Sequence, residues 1–490
     1  MRSTSMIDPA SGLLLTRRTL VQAAAAAILT PLPTAAALAQ AAAPAPSAAS
    51  RADGLPTTLL EAKPAVAELQ PGAATDVWGF GGRTPGPELR IRKDEPFRAK
   101  LVNSTPQPLS IHWHGMRIAS EMDGVAGLTQ EPVPPGATAD IAFTPPDAGT
   151  FIYRPLVPGL TAEAAERGLS GVVVVEDPGA QPVDLDRVCA VDDWRLNEQH
   201  QLDAFGSVDD RAGYGRLGNL LTVNGVRAPE RITVAPGSRV RLRLANLCNA
   251  RVMRIRFDGL KAYVSAVDGQ PTDTFEPLRA SLPFAPGSRY DIVFEAGAAG
   301  SAGAVAASIG QGFPLVEIKV EGEPITFRRP VLPPLAPLGD NPRLPPAIPL
   351  QKAQRADVTI AGGARLGTDG RPAYAGDPAR IWTINGVSGA VGPEKNAAKP
   401  LLSVRRGTPV VLAIANKTPF PQVMHLHGHS FRLLHPLDDG WEPYWLDTVI
   451  VPEGQTARIA FLADNKGRWL LGSTVLERLD SGLSAWIDVT

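Results

Sequence analysis

Four of the seven histidines fall in two short pairs with one residue between them: His112 and His114 in IHWHG, and His425 and His427 in HLHG. Residues i and i+2 of a strand share a face, so each pair can present two imidazoles to one partner. Imidazole is a ligand that suits copper and zinc, and two such pairs facing each other would bring four donors to a transition metal. A single pair reads as ordinary packing around Trp113 or Leu426. Two pairs at matching places in a repeat point to descent from a metal site. The partner of the second pair belongs near Trp469, where GRWLLGSTVLERLDSGL supplies Gly472, Ser473 and Thr474, none of them a soft or imidazole ligand. His200 and His435 read as solvated loop residues. Asp123, Asp447 and Glu477 lie near these motifs but read as ordinary surface or turn residues. Cys189 and Cys248 have no neighbouring histidine. Their strand-like contexts favour buried free thiols over one disulfide.

A repeat is what would hold the two pairs in register. Three segments align without gaps on an asparagine: LRIRKDEPFRAKLVN to Asn103, ITVAPGSRVRLRLAN to Asn246 and LSVRRGTPVVLAIAN to Asn416. Each alternates apolar and polar residues through two strands around a tight turn. The turn residue nine before the asparagine is Asp94, Gly237 or Gly407. A second set follows as a further strand: GATADIAF from Gly136, GSRYDIVF from Gly287 and GQTARIAF from Gly454. His112 and His425 each stand 9 residues after their asparagine, whereas the second unit has Phe257 to Leu260 near that place and no histidine. Large units with many short strands predict an all-β chain of three Greek-key β-sandwiches. The expected division is a signal over 1–39, a disordered linker over 40–52 and sandwiches over 53–178, 179–327 and 355–490. A Pro-rich spacer over 328–354 should separate the second sandwich from the third.

Composition narrows the function. The 490 residues carry a formal net charge of −1, so no basic field predicts nucleic-acid binding. Hydrophobic residues make up 44%, enough for large cores. Thr16-Arg17-Arg18-Thr19-Leu20 is a twin-arginine pair, followed by the apolar run Val21 to Leu32 and an Ala37-Leu38-Ala39 cleavage site. No later segment is apolar enough for a membrane span. The expectation is a periplasmic protein without a transmembrane segment in its mature form, exported by the twin-arginine route.

IHWHGMRIASEMDGVAGLTQ, HLHGHSF and GRWLLGSTVLERLDSGL, with the repeat and the export signal, resemble the three-domain bacterial multicopper oxidases from about Asp53 to Thr490. RLGNLLTVNG and NARVMRIRFDG match outside the histidine motifs. The resemblance implies three cupredoxin domains, a blue copper that takes electrons from substrate, and a trinuclear copper cluster that reduces oxygen. The family supplies ten histidines and one cysteine through the motifs HxHG, HxH, HPxHxHxH and HCHxxxH. Carried onto this chain, the first motif keeps His112 and His114. The second should follow Gly149 to Tyr153, but Arg154 and Leu156 stand there. The third keeps His425 and His427 and opens on Gln422, and its His429 matches a histidine that binds no copper. The fourth reads Gly472, Ser473 and Thr474, with Arg478 for the last histidine and Leu483 at the axial place. Four of eleven ligand positions remain, and seven histidines cannot supply ten ligands wherever they sit.

The resemblance thus implies a divergent member in which Ser473, a hard hydroxyl, replaces the thiolate that blue copper needs. His112 and His425 match the mononuclear part of the cluster, and His114 and His427 match the paired coppers. The four histidines are candidate ligands for at most one copper, or one zinc. Arg154 is expected to pair with Glu121, Asp123 or Glu477, and apolar atoms or backbone to fill part of the vacated space. The functional expectation is an oxidoreductase by descent that is inactive in reducing oxygen. Its alternatives are a copper-dependent oxidoreductase with residual activity and a copper-free envelope scaffold with an unidentified partner.

Overall fold

In the computed structural model the described residues are 50–490, apart from 53–54, 311, 337, 366–373, 390–397 and 439. The expected export signal lies outside them, as does the linker up to residue 49. Its last residues, Ser50–Ala52, pair antiparallel with Leu55–Thr57 at the start of the long strand Leu55–Gln70. Its regular structure is almost wholly strand, with three α-helices of five or six residues among the described residues.

Among the described residues the strands form six sheets in three facing pairs, giving the expected all-β, cupredoxin-like architecture. The repeat is visible as geometry. In each unit the strand ending at the asparagine pairs antiparallel with the strand of the second set: Phe97–Asn103 with Thr138–Phe143, Arg239–Asn246 with Arg289–Glu295, and Thr408–Asn416 with Thr456–Ala463. The turn residues Asp94, Gly237 and Gly407 all have positive φ, at 66°, 74° and 85°, a region open to glycine and tolerated by aspartate.

The asparagines explain themselves. All three are fully buried. Each amide donates to carbonyls of the following loop and of the strand entry beyond it: Asn103 to Gln107 and Val133, Asn246 to Arg251 and Phe284, Asn416 to Phe420 and Val451. Each Oδ1 accepts a backbone N–H two residues on. One side chain thus ties off a loop that would otherwise bury unpaired carbonyls.

Each unit has its own core, around Leu101, Trp113 and Tyr153, around Leu242, Ile292 and Phe294, and around Leu412, Phe461 and Trp469. Apolar contacts also join the units. Ile152, Val172 and Val174 pack on Val188, Ala190, Ala245 and Leu247, and Val125, Leu128 and Leu156 pack on Leu470, Leu476 and Leu479. At roughly 2 kcal/mol per buried leucine-sized side chain, these seams hold the first unit rigidly on the others. The Pro-rich stretch is tied down along its second half. Leu344, Ile348 and Leu350 pack on Val411, Leu434 and Trp445, and Asn341 bonds Asp147 and Gln270. Its prolines forgo sheet pairing, but the leucines between them bind it to the third unit.

Candidate metal centre

The strand His112–His114 of the first unit and the strand Gln422–Leu426 of the third meet at this seam. They bring all four paired histidines together, each at most 2% exposed. His112 stacks on His427 with ring centroids 4.0 Å apart, and His114 stacks on His425 at 3.8 Å. Ligand atoms of His112, His114 and His425 lie within 4.8 Å of one another, and those of His112, Asp123 and His427 do the same.

The hydrogen bonds fix which nitrogen is free. His112 Nδ1 lies 2.8 Å from the carbonyl of Asp123, and His425 Nδ1 lies 2.9 Å from the carbonyl of Asp447. A carbonyl only accepts, so both Nδ1 atoms carry the proton and both Nε2 atoms are lone pairs. His427 Nδ1 donates to Asp123 Oδ2 at 2.8 Å. Thr448 gives its hydroxyl proton to Asp447 Oδ1 at 2.8 Å, and can then accept from His114 Nε2 at 3.2 Å. That leaves His114 Nδ1 as its lone pair. His112 Nε2, His114 Nδ1 and His425 Nε2 are buried and have no hydrogen-bond partner. Backbone and carboxylate acceptors that hold ligating imidazoles in one tautomer are the usual support of a metal site.

Electrostatics keep these lone pairs available. Burial lowers the pKa of His114 well below its ordinary value, with His425 and Arg289 adding to it. Burial lowers His425 and takes His427 down to about 3, against the opposing charges of Asp447 and Asp123 respectively. Asp447 is held below the usual carboxylate range against its burial, by Arg289 first. Arg289 grips it with two bonds of 3.0 and 2.6 Å. The same guanidinium explains the glycine of HWHG. Gly115 has φ 88°, and a Cβ there would fall 2.2 Å from Arg289 Nη2.

The donor set suits one ion, held by His112 Nε2 and His425 Nε2 with His114 or His427 beside them. It does not suit a blue copper centre. Arg478, 1% exposed, lies at that end of the third unit. Its Nη1 donates to the Pro421 carbonyl at 2.7 Å and to Gln422 Oε1 at 2.8 Å, and Nε and Nη2 donate to the Gly213 carbonyl at 3.3 and 3.1 Å. Trp382 and Phe420 lie against the guanidinium, 5.0 and 5.3 Å from its carbon. Burial pushes its pKa down to about 9, so it is charged at neutral pH. Ser473 Oγ accepts the Val475 N–H at 3.1 Å, and Leu483 is fully buried in the third core. A Cβ at Gly472 would meet Leu470 and Leu479, both at 3.1 Å, and Leu156 packs in that same apolar cluster. Thr474 Oγ1 is buried without a partner.

Two sequence expectations are corrected. Asp123 and Asp447 are fully buried supports of the histidines, and Glu477 is buried too, bonded to Asn249 at 2.9 Å. Asp123 and His427 are 304 positions apart, so only the docking of the units reveals the pair. Arg289 and Thr448 were not anticipated for the same reason. Arg154 forms no ion pair with Glu121, Asp123 or Glu477. It pairs in register with His112, on the strand face opposite Tyr153. His429 donates Nδ1–H to the His427 carbonyl and packs edge-on against Trp469, outside the cluster. His200 and His435 lie in loops, as expected. Cys189 and Cys248 are buried and unbridged.

Multicopper oxidase sequence profiles match residues 61–180, 186–312 and 374–490. The chain is 30% identical over 451 residues to multicopper oxidase MmcO of Mycobacterium tuberculosis, covering 85% of this chain and 83% of that one. It is 26% identical over 498 residues to cell division protein FtsP of Escherichia coli, covering 96% and 97%. Among solved structures, a multi-copper oxidase from Pseudomonas thermotolerans superposes with a TM-score of 0.76 at 29% identity, covering 89% of this chain and 99% of that one.

Proposed function

This chain belongs to the multicopper oxidase family, and we propose that it is an exported, periplasmic member that no longer reduces oxygen and keeps a half-site for one copper ion. The observation that carries the reading is Arg478. A charged guanidinium, bonded to three acceptors and set against two aromatic rings, stands at the family's last blue-copper histidine. Gln422 stands at the first and Ser473 at the thiolate. With no sulfur donor and a fixed cation in place, electrons from a substrate have no entry. The twin-arginine sequence at Arg17-Arg18 supports export. No helix among the described residues is long and apolar enough to cross a membrane.

Copper held by these imidazoles would supply a Lewis acid. The chain's own contribution is to present lone pairs at His112 Nε2 and His425 Nε2, to hold the protons on their Nδ1 atoms by donation to the Asp123 and Asp447 carbonyls, and to pack Leu470 and Leu479 against Leu156, which stands at a family ligand position. Metal analysis of periplasmic protein, with and without added copper, tests the reading. One copper per chain is expected, with the paramagnetic signal of an imidazole-ligated ion and no blue thiolate band. Near four coppers per chain, or oxygen uptake with a phenol, overturns it.

A second reading is favoured by the similarity to FtsP along 96% of the chain. Here the protein is a copper-free envelope component whose fold serves binding. Absence of copper after loading at micromolar metal selects this reading.

A further inference from the structure

Two arginines stand at lost ligand positions, and their surroundings differ. Every side-chain nitrogen of Arg478 has a hydrogen-bond acceptor. Arg154 is also buried, at 4% exposure, yet its Nε and Nη1 have no partner, and among the described residues no carboxylate forms an ion pair with it. Buried donors in folded proteins are rarely left unpaired, and for a charged group the omission is costly. Arg154 stays protonated at neutral pH although burial and Arg289 lower its pKa to about 10. Asp192 acts on it only at a distance. Burial and Asp193 push the Asp192 carboxyl up, and its Oδ1 accepts the Asp193 N–H.

The strand register sets the direction of Arg154. Along Gly149–Arg154 alternate residues face opposite ways. Tyr153 enters the first core, so Arg154 takes the other face, directly across from His112. Its charge is felt by His114. Thr474 lies on the Nε2 side of His114, since a Cβ at Gly287 would lie 2.8 Å from His114 Nε2 and 3.5 Å from Thr474 Cγ2. Thr474 Oγ1 is a further buried polar atom without a partner. The seam therefore brings together three free imidazole lone pairs and a guanidinium with free donors. A metal cation satisfies the first group only. A small anion bound to that cation satisfies the rest, because guanidinium is a planar, multidentate donor for halides and compact oxyanions.

We propose that Arg154 converts the half-site into a joint site for one copper ion and one small exogenous anion, with the anion bridging the open coordination position of copper and the Arg154 guanidinium. The step is ligand exchange: the anion displaces a water from Cu(II), and no electron is transferred. The inference rests on the half-site reading above and adds the ligand class.

Azide is the probe, since its binding to Cu(II) is read by a new charge-transfer band and a change in the copper paramagnetic spectrum. Wild type, Arg154→Leu and Arg154→Lys are loaded with one equivalent of copper and titrated with azide, with copper content measured in each. Expected are equal copper loading in all three, azide binding at least tenfold weaker in Arg154→Leu, and an intermediate value in Arg154→Lys. Chloride should compete with azide in wild type and lose that competition in Arg154→Leu. Leucine removes an unpaired buried charge, so thermal unfolding should be no easier in that variant. Equal azide affinity in wild type and Arg154→Leu, with copper bound in both, overturns this inference and leaves the half-site reading standing. Copper absent from wild type overturns both.

Discussion

Arg478→Ala is the perturbation that bears most directly on the proposed loss of the blue-copper centre. The variant leaves three acceptors without a donor: the Gly213 and Pro421 carbonyls and Gln422 Oε1. A bond from a charged donor to a buried acceptor is worth about 1.5 kcal/mol, so these together represent about 4 kcal/mol. The two facing aromatic rings add about 1 kcal/mol. Against this stands relief of an unpaired buried charge. The nearest carboxylate influence is that of Glu477, whose own pKa burial raises to about 7, so the guanidinium is incompletely neutralised. Release of that strain offsets about 2 kcal/mol. The net expectation is a loss of about 3 kcal/mol, which at a urea slope of about 3 kcal/mol/M moves the midpoint down by about 1 M. Tryptophan fluorescence follows the transition, since Trp382 lies against the guanidinium. Arg478→Met, which keeps volume but no donor, should fall between alanine and wild type. An alanine variant within about 0.5 kcal/mol of wild type would refute the reasoning. It would mean that water serves the three acceptors equally well and that Arg478 is not the structural substitute for a metal.

The remaining predictions concern the half-site, a pH window and the repeat. His112→Ala and His425→Ala should each lower copper occupancy at one equivalent by at least tenfold, measured by equilibrium dialysis, whereas His429→Ala should retain it because that ring lies outside the cluster. Burial raises Glu477 to about 7 and Asp480 to about 6. For an acid with a raised folded pKa the folded state holds the extra proton, so stability is greatest at low pH and falls as pH rises from about 4 to about 7. Glu477→Gln should flatten that fall and be more stable than wild type at pH 8 by about 2 kcal/mol, read from unfolding midpoints across the range. Asn416→Ala removes donors to Phe420, Val451 and Pro452 and the acceptor for the Thr418 N–H. It should cost about 3 kcal/mol, whereas a neutral result would deny the asparagine its role of tying off the loop.

The fold and half of the site were legible in the sequence because their signals are local. Alternation, the positive-φ turn at Asp94, Gly237 and Gly407, and the asparagine nine residues on all act within one hairpin, so three copies announce themselves. The HxH pairs share that locality. The supports of the site do not. Asp123 reaches His427 across the seam, and Arg289 of the second unit grips Asp447 of the third across 158 positions. A single chain carries no mark of such pairs. HWHG came nearest, since its glycine answers both to a local positive φ and to Arg289 of another unit. Arg154 was misjudged for the same reason. Glu121, Asp123 and Glu477, the partners expected for it, lie in the motifs around the site, but strand register decides which way a side chain points.

The two arginines also constrain which reading of the chain is self-consistent. If the whole region had simply decayed into a packed core, Arg154 should resemble Arg478: donors matched to carbonyls, or the residue replaced by something apolar as at Leu156. Instead the blue-copper end is closed by a fully bonded guanidinium, while the four-histidine end keeps every imidazole in the tautomer that exposes a lone pair. Those tautomers are enforced by two backbone carbonyls, one carboxylate and one threonine drawn from two units. Such support buries polar groups at a free-energy cost and is needless for an apolar filling. An end closed by internal bonds and an end left with matched donors and acceptors differ in what they can still do, and only the second has chemistry to offer a ligand.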